Sequence, residues 1–345
     1  MQRYDHGGDI YSGSQIHLDF SVNTNPLGMP EEVEAALIRQ ASQFSRYPDP
    51  HCRGLRSALT ELHGLSPEHI LCGNGAADLI FRICACYKPK HALVLAPTFS
   101  EYERPVKLFG GQIQEFLLTP ENGFALTEAF LDTITPETDM VFLCNPNNPT
   151  GRLAPFPLLR KIAQRCQENG TVLVVDECFL PFTDGTSLLS MLPEYPNLLI
   201  LKAFTKLYSM AGLRLGYLLG APSRLDEIRP FGAQWSVSGP AQAAGFAALS
   251  AEPEWSARTK QLVVAERLFM AEQLSMLGIT VFPSDANFLL LKTEIPLYSK
   301  LLENGILVRD CSNFTGLDGR YIRIGLKTRS EHQKLLHRIR EICYG

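Results

Sequence analysis

Four polar side chains stand out in this sequence because of the apolar or turn-forming segments around them. Asp176 follows an apolar run (171–175), so it stands at the carboxyl end of a predicted buried strand, where open α/β sheets carry ligand chemistry. Asn148 lies upstream in a turn (145–151) that is too polar for a core. Lys206 has largely apolar neighbours, which lower the pKa of a lysine toward that of a nucleophilic amine. Arg214 follows eight residues later. These residues indicate nucleophilic chemistry by an amine near a buried acid.

Each of these residues also has an ordinary structural explanation. An acid at the end of a strand can cap a helix or a turn, and a single lysine is most often a solvated surface residue. Lys202 competes with Lys206 as the candidate amine. Glu177, which follows Asp176, is expected to face away from the site in a structural role.

Gly73 and Gly75 mark a turn between a short apolar strand (70–72) and a predicted helix. Free N–H groups and the helix dipole make such a turn a candidate phosphate site, although it can equally be structural or begin a nucleotide site. A dinucleotide site also needs a third glycine and an acid after the next strand. Here Asp78 replaces that glycine, and the next strand ends in Ala-Pro-Thr-Phe (96–99). A monophosphate therefore fits this loop better.

The elements that position these residues alternate between strands and helices. The first 45 residues predict a short strand at 18–21 and a helix at 31–43. After the short strand at 70–72, the clearest predicted strands are at 91–95, 140–143, 171–175 and 198–201. This alternation predicts an α/β fold with a mostly parallel sheet and helices on both faces. Further along the chain, helices are predicted at 239–249, 254–277 and 330–342, and strands at 288–291 and 321–324. We expect an N-terminal arm with part of a small domain (1–45), a large domain (46–232) and a smaller α+β domain (233–345).

Length, charge and cysteine content limit the class of protein. The 345 residues suffice for two cores, and the net charge of −4 argues against a nucleic-acid partner. The nine cysteines have no zinc-site spacing and are expected to be reduced thiols. The sequence contains neither an apolar signal core nor a run of about 18 apolar residues, so a cytoplasmic location without a membrane span is expected.

The order of the turn amide, the strand-end acid, the lysine and the arginine resembles that of the fold-type I pyridoxal 5'-phosphate (PLP) enzymes. The resemblance selects Lys206 over Lys202 as the Schiff-base lysine, because only Lys206 stands in the Ser/Thr-Lys-x5-Gly-Leu-Arg register that begins at Thr205. It implies that Asp176 keeps the pyridinium nitrogen protonated and that Asn148 donates to the phenolate oxygen.

The same resemblance implies the rest of the cofactor site. The phosphate is expected at the loop of Gly75, Ala76 and Ala77, with Arg214 as its clamp. Phe99, which by itself is more often a core residue, is expected to stack on the cofactor ring. No metal is implied.

Two further residues have roles that the resemblance implies. Tyr47 matches a tyrosine that reaches the cofactor phosphate of the partner subunit, which predicts a homodimer with shared active sites; otherwise it is a turn aromatic. Arg323 matches the arginine that binds the substrate α-carboxylate through two parallel bonds, and otherwise forms a surface ion pair.

Three segments narrow the resemblance to the threonine-phosphate decarboxylases, which supply aminopropanol phosphate for the nucleotide loop of cobalamin. They are 6–9, 19–30 and 308–314. Phe179 is also similar to the decarboxylases, whereas many aminotransferases have a tyrosine at this position. Ala203 departs from the family, where a phosphate-binding hydroxyl is common. The implied reaction is decarboxylation of L-threonine O-3-phosphate. Serine phosphate as the substrate and a histidinol-phosphate-type aminotransferase remain alternatives.

The substrate phosphate of such an enzyme needs positive charge or several hydrogen-bond donors, because unpaired burial of a dianion is costly. Arg309 and His6 are the candidate cations, with Thr24 and Asn25 as neutral donors. His6 is otherwise a terminal residue without a role.

Overall fold

A computed structural model describes residues 7–11 and 15–344 of the chain. Its strands are β1 (Leu18–Asp19), β2 (Ile70–Gly73), β3 (His91–Ala96), β4 (Gln112–Leu117), β5 (Met140–Cys144), β6 (Val172–Asp176), β7 (Leu198–Ala203), β8 (Gly216–Gly220), β9 (Thr280–Val281), β10 (Phe288–Lys292), β11 (Ile306–Leu307), β12 (Arg309–Asp310) and β13 (Tyr321–Gly325). Its α-helices are α1 (Glu31–Gln40), α2 (Arg53–His63), α3 (Ala76–Tyr87), α4 (Glu103–Leu108), α5 (Phe156–Glu168), α6 (Phe204–Leu207), α7 (Pro222–Ile228), α8 (Gly239–Leu249), α9 (Glu254–Met276), α10 (Leu297–Glu303) and α11 (Arg329–Tyr344).

The largest sheet has seven strands in the order β2-β8-β7-β6-β5-β3-β4. Strands β7, β6, β5, β3 and β4 pair in parallel, whereas β8 is antiparallel to both of its neighbours. Every residue of β5 and β6 is buried, because these apolar strands are covered on both faces. The predicted mostly parallel sheet is confirmed.

A second, antiparallel sheet has the order β12-β13-β10-β9, and all of its strands come from the later part of the chain. Near it, β1 pairs in parallel with β11. The backbone of Phe20 extends this association, since its N–H donates to Leu307 and its carbonyl accepts from Gly325, both at 2.7 Å. The N-terminal segment thus pairs with strands of the C-terminal part. The domain boundaries at 45/46 and 232/233 stay a prediction.

Two element ends differ from the sequence prediction for local reasons. The predicted strand at 18–21 stops after Asp19, because the Asp19 carboxylate accepts the N–H of Ser21 at 2.8 Å and removes it from the ladder. The predicted helix at 31–43 ends at Gln40 and continues as the 3₁₀ turn Ala41–Ser45. Across residues 7–11 and 15–344, no helix combines the length and apolar character needed to cross a bilayer.

Candidate active site

A cavity of about 500 Å³ lies beyond the carboxyl ends of β3, β5, β6 and β7, with β12 and β13 on its other side. Parallel strands that end at one edge of a sheet bring their following residues together. The predicted site residues that line this cavity are Ala76, Ala77, Phe99, Asn148, Asp176, Thr205, Lys206, Arg214, Arg309 and Arg323. The structure therefore brings together most of the residues singled out from the sequence.

Asp176 is a buried carboxylate at the end of β6, and two donors hold it. The Tyr102 hydroxyl donates to Oδ2 at 2.8 Å, and the backbone N–H of Cys178 donates to Oδ1 at 2.9 Å. Burial raises the pKa of Asp176, while the bonds from Cys178 and Tyr102 and the charge of Lys206 act in the opposite direction. The Asp176 carboxylate is therefore a buried polar group held in a fixed orientation by two hydrogen bonds.

Lys206 lies in the short helix α6, and its amine faces the cavity. Burial lowers its pKa, and the positive charges of Arg323 and Arg214 contribute in the same direction. Its Nζ lies 5.6 Å from the ring centre of Phe179, which also lines the cavity. A lysine in these surroundings is more readily neutral, and therefore nucleophilic, than a lysine in water.

Lys202 lies outside this cavity. It pairs with Glu177 at 2.7 Å, and Glu177, which is fully buried, also accepts from the Ser187 hydroxyl and the Leu188 N–H at 2.6 and 2.8 Å. The prediction that Glu177 faces away from the cavity is confirmed. Both residues line a different cavity of about 180 Å³. The ion pair gives Lys202 a structural partner that Lys206 does not share.

The loop before α3 is built around Gly75, whose backbone (φ 82°, ψ 169°) only glycine adopts readily. A Cβ at this position would lie 2.8 Å from Nη2 of Arg214, so the absent side chain lets the guanidinium approach the loop. Asp78 accepts from the N–H of Asn74 at 2.8 Å and pairs with Arg82 at 2.6 Å. The residue in the third-glycine position is therefore a local anchor of the loop and the helix.

Arg309 and Arg323 are cross-strand partners on β12 and β13. Both are buried, at 8% and 6% exposure, and both line the cavity. Burial, together with the charge of Arg309, lowers the pKa of Arg323 to about 10. Like charges directly opposite each other in a sheet are destabilising. An anionic ligand bound between the two guanidinium groups would offset this repulsion.

Both guanidinium groups donate to neutral acceptors in the described part of the chain. Arg323 donates to the side-chain oxygen of Asn148 and, at 2.7 Å, to the carbonyl of Ser21. Its Nε atom has no hydrogen-bond partner within the described part of the chain. Arg309 donates to Asn313 at 2.9 Å and lies 5.1 Å from the ring centre of Phe314. Because the Asn148 oxygen is used by Arg323, its amide N–H₂ group is the end left to donate.

Four predicted site residues in the described part of the chain do not line the cavity: Gly75, Thr24, Asn25 and Tyr47. Tyr47 is 81% exposed and packs on Trp235, with 4.6 Å between ring centres. Asn25 differs from expectation: its amide donates to Leu207 and Thr259, both at 2.7 Å, which gives it a structural role. Thr24 is likewise absent from the cavity wall. His6 lies outside the described residues.

Several residues of the cavity region were missed from the sequence, among them Asn23 in the cavity wall and Tyr102 next to it. Asn23 is 2% exposed and lines the cavity, and its Oδ1 atom has no hydrogen-bond partner among the residues that the structure describes. It lies in the same motif as Asn25, but two asparagines in one motif do not reveal which one faces a ligand. Tyr102, which holds Asp176, had no sequence signal beyond its position after Phe99.

These features together define an enzyme family. A family model described as aminotransferase class I and II matches residues 15–339, so the chain belongs to this family. The chain is 37% identical to a threonine-phosphate decarboxylase from Salmonella typhimurium, over 99% of this chain and 97% of that protein. It is also 36% identical to a histidinol-phosphate aminotransferase from Desulfitobacterium hafniense, over 95% of this chain and 91% of that protein.

Solved structures agree with this family. The crystal structure of the histidinol-phosphate aminotransferase from Clostridium acetobutylicum matches with a TM-score of 0.88 at 26% identity, covering 94% of this chain and 99% of that one. The architecture is therefore the fold-type I PLP fold that the sequence predicted.

Proposed function

We propose that this protein is a PLP-dependent decarboxylase of a phosphorylated amino acid, with L-threonine O-3-phosphate as the substrate. The observation that carries the proposal is the pair of buried cross-strand arginines, Arg309 and Arg323, beside Lys206 and Asp176. A substrate with both a carboxylate and a phosphate offers one anion to each guanidinium. The Salmonella relative, named a threonine-phosphate decarboxylase, supports this choice of substrate.

The residues of the cavity fit PLP by their chemistry. Asp176 supplies a buried carboxylate for a protonated ring nitrogen, and the Asn148 amide supplies a donor for the phenolate oxygen. Phe99 supplies an aromatic face, and the start of α3 with Arg214 supplies N–H groups and a positive charge for the phosphate. When bound, PLP supplies an electron sink for the electrons that carbon dioxide leaves behind.

The chain's own residues bind the substrate and move the proton. Arg323 holds the carboxylate and Arg309 the phosphate, which fixes the bond between Cα and the carboxylate. Asn23 offers a hydrogen-bond acceptor in the same wall. When that bond breaks and carbon dioxide leaves, the Nζ atom of Lys206 delivers the proton that replaces it at Cα. The product is 1-aminopropan-2-yl phosphate.

At two positions of this cofactor site, Ala203 and Phe179, the side chain cannot form a hydrogen bond with the cofactor. Ala203 has no hydroxyl for the cofactor phosphate, so more of that binding falls to Arg214 and the loop before α3. Phe179 cannot donate to the phenolate oxygen, which leaves Asn148 as the proposed donor. We further propose that the protein is a cytoplasmic homodimer and that its product serves cobalamin synthesis. A bifunctional adenosylcobalamin-biosynthesis relative from Leptospira interrogans supports that role; it is 32% identical over all of this chain, which spans 42% of that protein.

A product assay with the PLP-loaded protein tests the reaction. Release of carbon dioxide is measured with phosphothreonine, phosphoserine and unphosphorylated threonine, and the phosphorylated amine is identified. Fastest release from phosphothreonine is the expected result. Parallel incubation with histidinol phosphate and 2-oxoglutarate tests the alternative that the Desulfitobacterium relative raises. Glutamate formation without carbon dioxide release would overturn the proposal in favour of an aminotransferase.

A further inference from the structure

Tyr102 lies behind the candidate active site and has no role in the proposed function so far. A 3₁₀ turn, Ser100–Tyr102, directly follows Phe99, and Tyr102 is its last residue. Tyr102 is 1% exposed. Its hydroxyl donates to Oδ2 of Asp176 at 2.8 Å. We infer that Tyr102 is a positioning residue, which keeps Asp176 ionised and directs it toward the cofactor ring nitrogen.

The ring of Tyr102 is held on two sides, so its hydroxyl has a fixed direction. It stacks on Phe142 of β5, with ring centres 5.1 Å apart and planes at 10°. It also meets the edge of Phe99 at 5.6 Å and 83°. Aromatic pairs of both geometries are favourable. One short segment therefore places an aromatic ring in the cavity wall and a hydrogen-bond donor on the acid behind it.

The surroundings of Asp176 explain why this donor matters. A carboxylate in an apolar region takes up a proton unless donors or cations favour the charged form. The groups that face it are Tyr102, Lys206 of α6, and the thiols of Cys144 and Cys178. Burial raises the pKa of both thiols, so they add no negative charge at neutral pH. Tyr102 thus supplies a donor to Asp176 that does not depend on the charge of Lys206.

The inference rests on the proposed function, because it assumes that ionised Asp176 serves the bound PLP. Its test measures PLP affinity of the cofactor-free protein and, separately, the pH dependence of kcat in the loaded protein. Tyr102→Phe removes the hydroxyl alone. Tyr87→Phe is the matched control, since its hydroxyl donates to Glu227 at 3.0 Å at the far end of α3.

We expect Tyr102→Phe to weaken PLP binding about tenfold, as for loss of one hydrogen bond to a charged group. The acid limb of the kcat profile should move to higher pH, because Asp176 without this donor protonates more easily. The Tyr87 variant should match the unsubstituted protein in both measurements. Unchanged PLP affinity in Tyr102→Phe would overturn the inference.

A double-mutant cycle separates this role from simple packing. In an Asp176→Asn background, Tyr102→Phe should cause little further loss of PLP affinity, whereas equal losses in both backgrounds would contradict the inference. If Tyr102→Phe does not fold, Tyr102→His replaces it, since its ring N–H can donate to the same oxygen. Retained affinity supports the inference and a tenfold loss overturns it. Asp176→Asn with undiminished PLP binding would instead contradict the proposed function itself.

Discussion

Lys202 and Lys206 lie four residues apart and have different surroundings. The ammonium of Lys202 contacts a fully buried carboxylate, Glu177, whereas the amine of Lys206 faces the large cavity. A buried ion pair resists loss of either partner, because the remaining charge is left without compensation. The same local sequence therefore contains one structural lysine and one lysine available to a ligand.

Borohydride treatment of the PLP-loaded protein tests this assignment. We expect reduction to attach the cofactor to Lys206, with loss of the visible absorption band. Lys206→Ala should prevent attachment, and Lys202→Gln, the matched control, should retain it. Peptide mapping by mass spectrometry identifies the modified residue. Attachment to Lys202 in the unsubstituted protein would contradict the assignment.

The pH dependence of stability tests the environment of Lys206. The pKa of Lys206 in the folded, cofactor-free protein is below the ordinary value of 10.5. Burying the charged lysine therefore lowers the free energy of unfolding wherever Lys206 is protonated. Lys206→Met should therefore raise the Tm of the cofactor-free protein below that folded-state pKa. The gain should shrink as the pH rises and disappear above about 10.5. A gain that is constant from pH 6 to pH 11 would contradict this explanation.

The role of Arg309 is tested through substrate preference. Arg309→Gln should raise the KM for phosphothreonine much more than it weakens PLP binding. Loss of one buried charge-assisted contact costs about 2–5 kcal/mol when the partner charge stays buried. Arg320→Gln, an exposed arginine paired with Asp318, is the control and should leave KM unchanged. An unchanged preference for phosphothreonine over threonine in Arg309→Gln would contradict the assignment.

The sequence placed Asp176 at the cavity because open α/β sheets carry ligand chemistry at the carboxyl ends of their strands. The alternative role, an acid that serves a local turn, is also present, since Asp176 accepts the N–H of Cys178. Asn23 and Asn25 could not be separated, because which asparagine meets a ligand depends on contacts with Leu207 and Thr259 far along the chain. Tyr102 was missed for a similar reason, since its partner is 74 residues away.

At the scale of elements, the loop before α3 connects backbone geometry to ligand binding. Gly75→Ala should strain the backbone and displace Arg214, whose Nη2 atom lies 2.8 Å from the position of the new Cβ. We expect about tenfold weaker PLP binding, the effect of one lost charge-assisted contact. Gly110→Ala is the control, because Gly110 also has a positive φ (87°) but open space around it. Equal effects of the two substitutions would contradict the contact with Arg214.

The elements that the sequence predicted well are the buried strands and the long helices. Strands such as β5 and β6 are continuous apolar runs, which the sequence displays directly. β4 was not among the predicted strands; at Gln112–Leu117 it mixes polar and apolar residues and lies at the sheet edge. The two-residue strands β11 and β12 were also missed, because pairing across the fold defines them and local propensity does not.

At the scale of the whole molecule, Tyr47 tests the shared active site. Within one chain it packs on Trp235 at the surface and does not line the cavity. We expect Lys206→Ala and Tyr47→Phe proteins each to have low activity. A mixture of the two, after subunit exchange, should regain part of it, because mixed dimers contain one intact site. Absence of regained activity after demonstrated exchange would contradict the shared site.

The pairing of β1 with β11 has a consequence for the order of events during protein synthesis. Leu18 leaves the ribosome early, but its partner Ile306 is made almost 290 residues later. The carbonyl of Ser21 accepts from Arg323, which is synthesised 302 residues after it. The wall of the cavity that carries Ser21 and Arg323 is therefore completed last, after the seven-stranded sheet has been translated. A nascent chain halted before residue 306 would have its central sheet but not this wall.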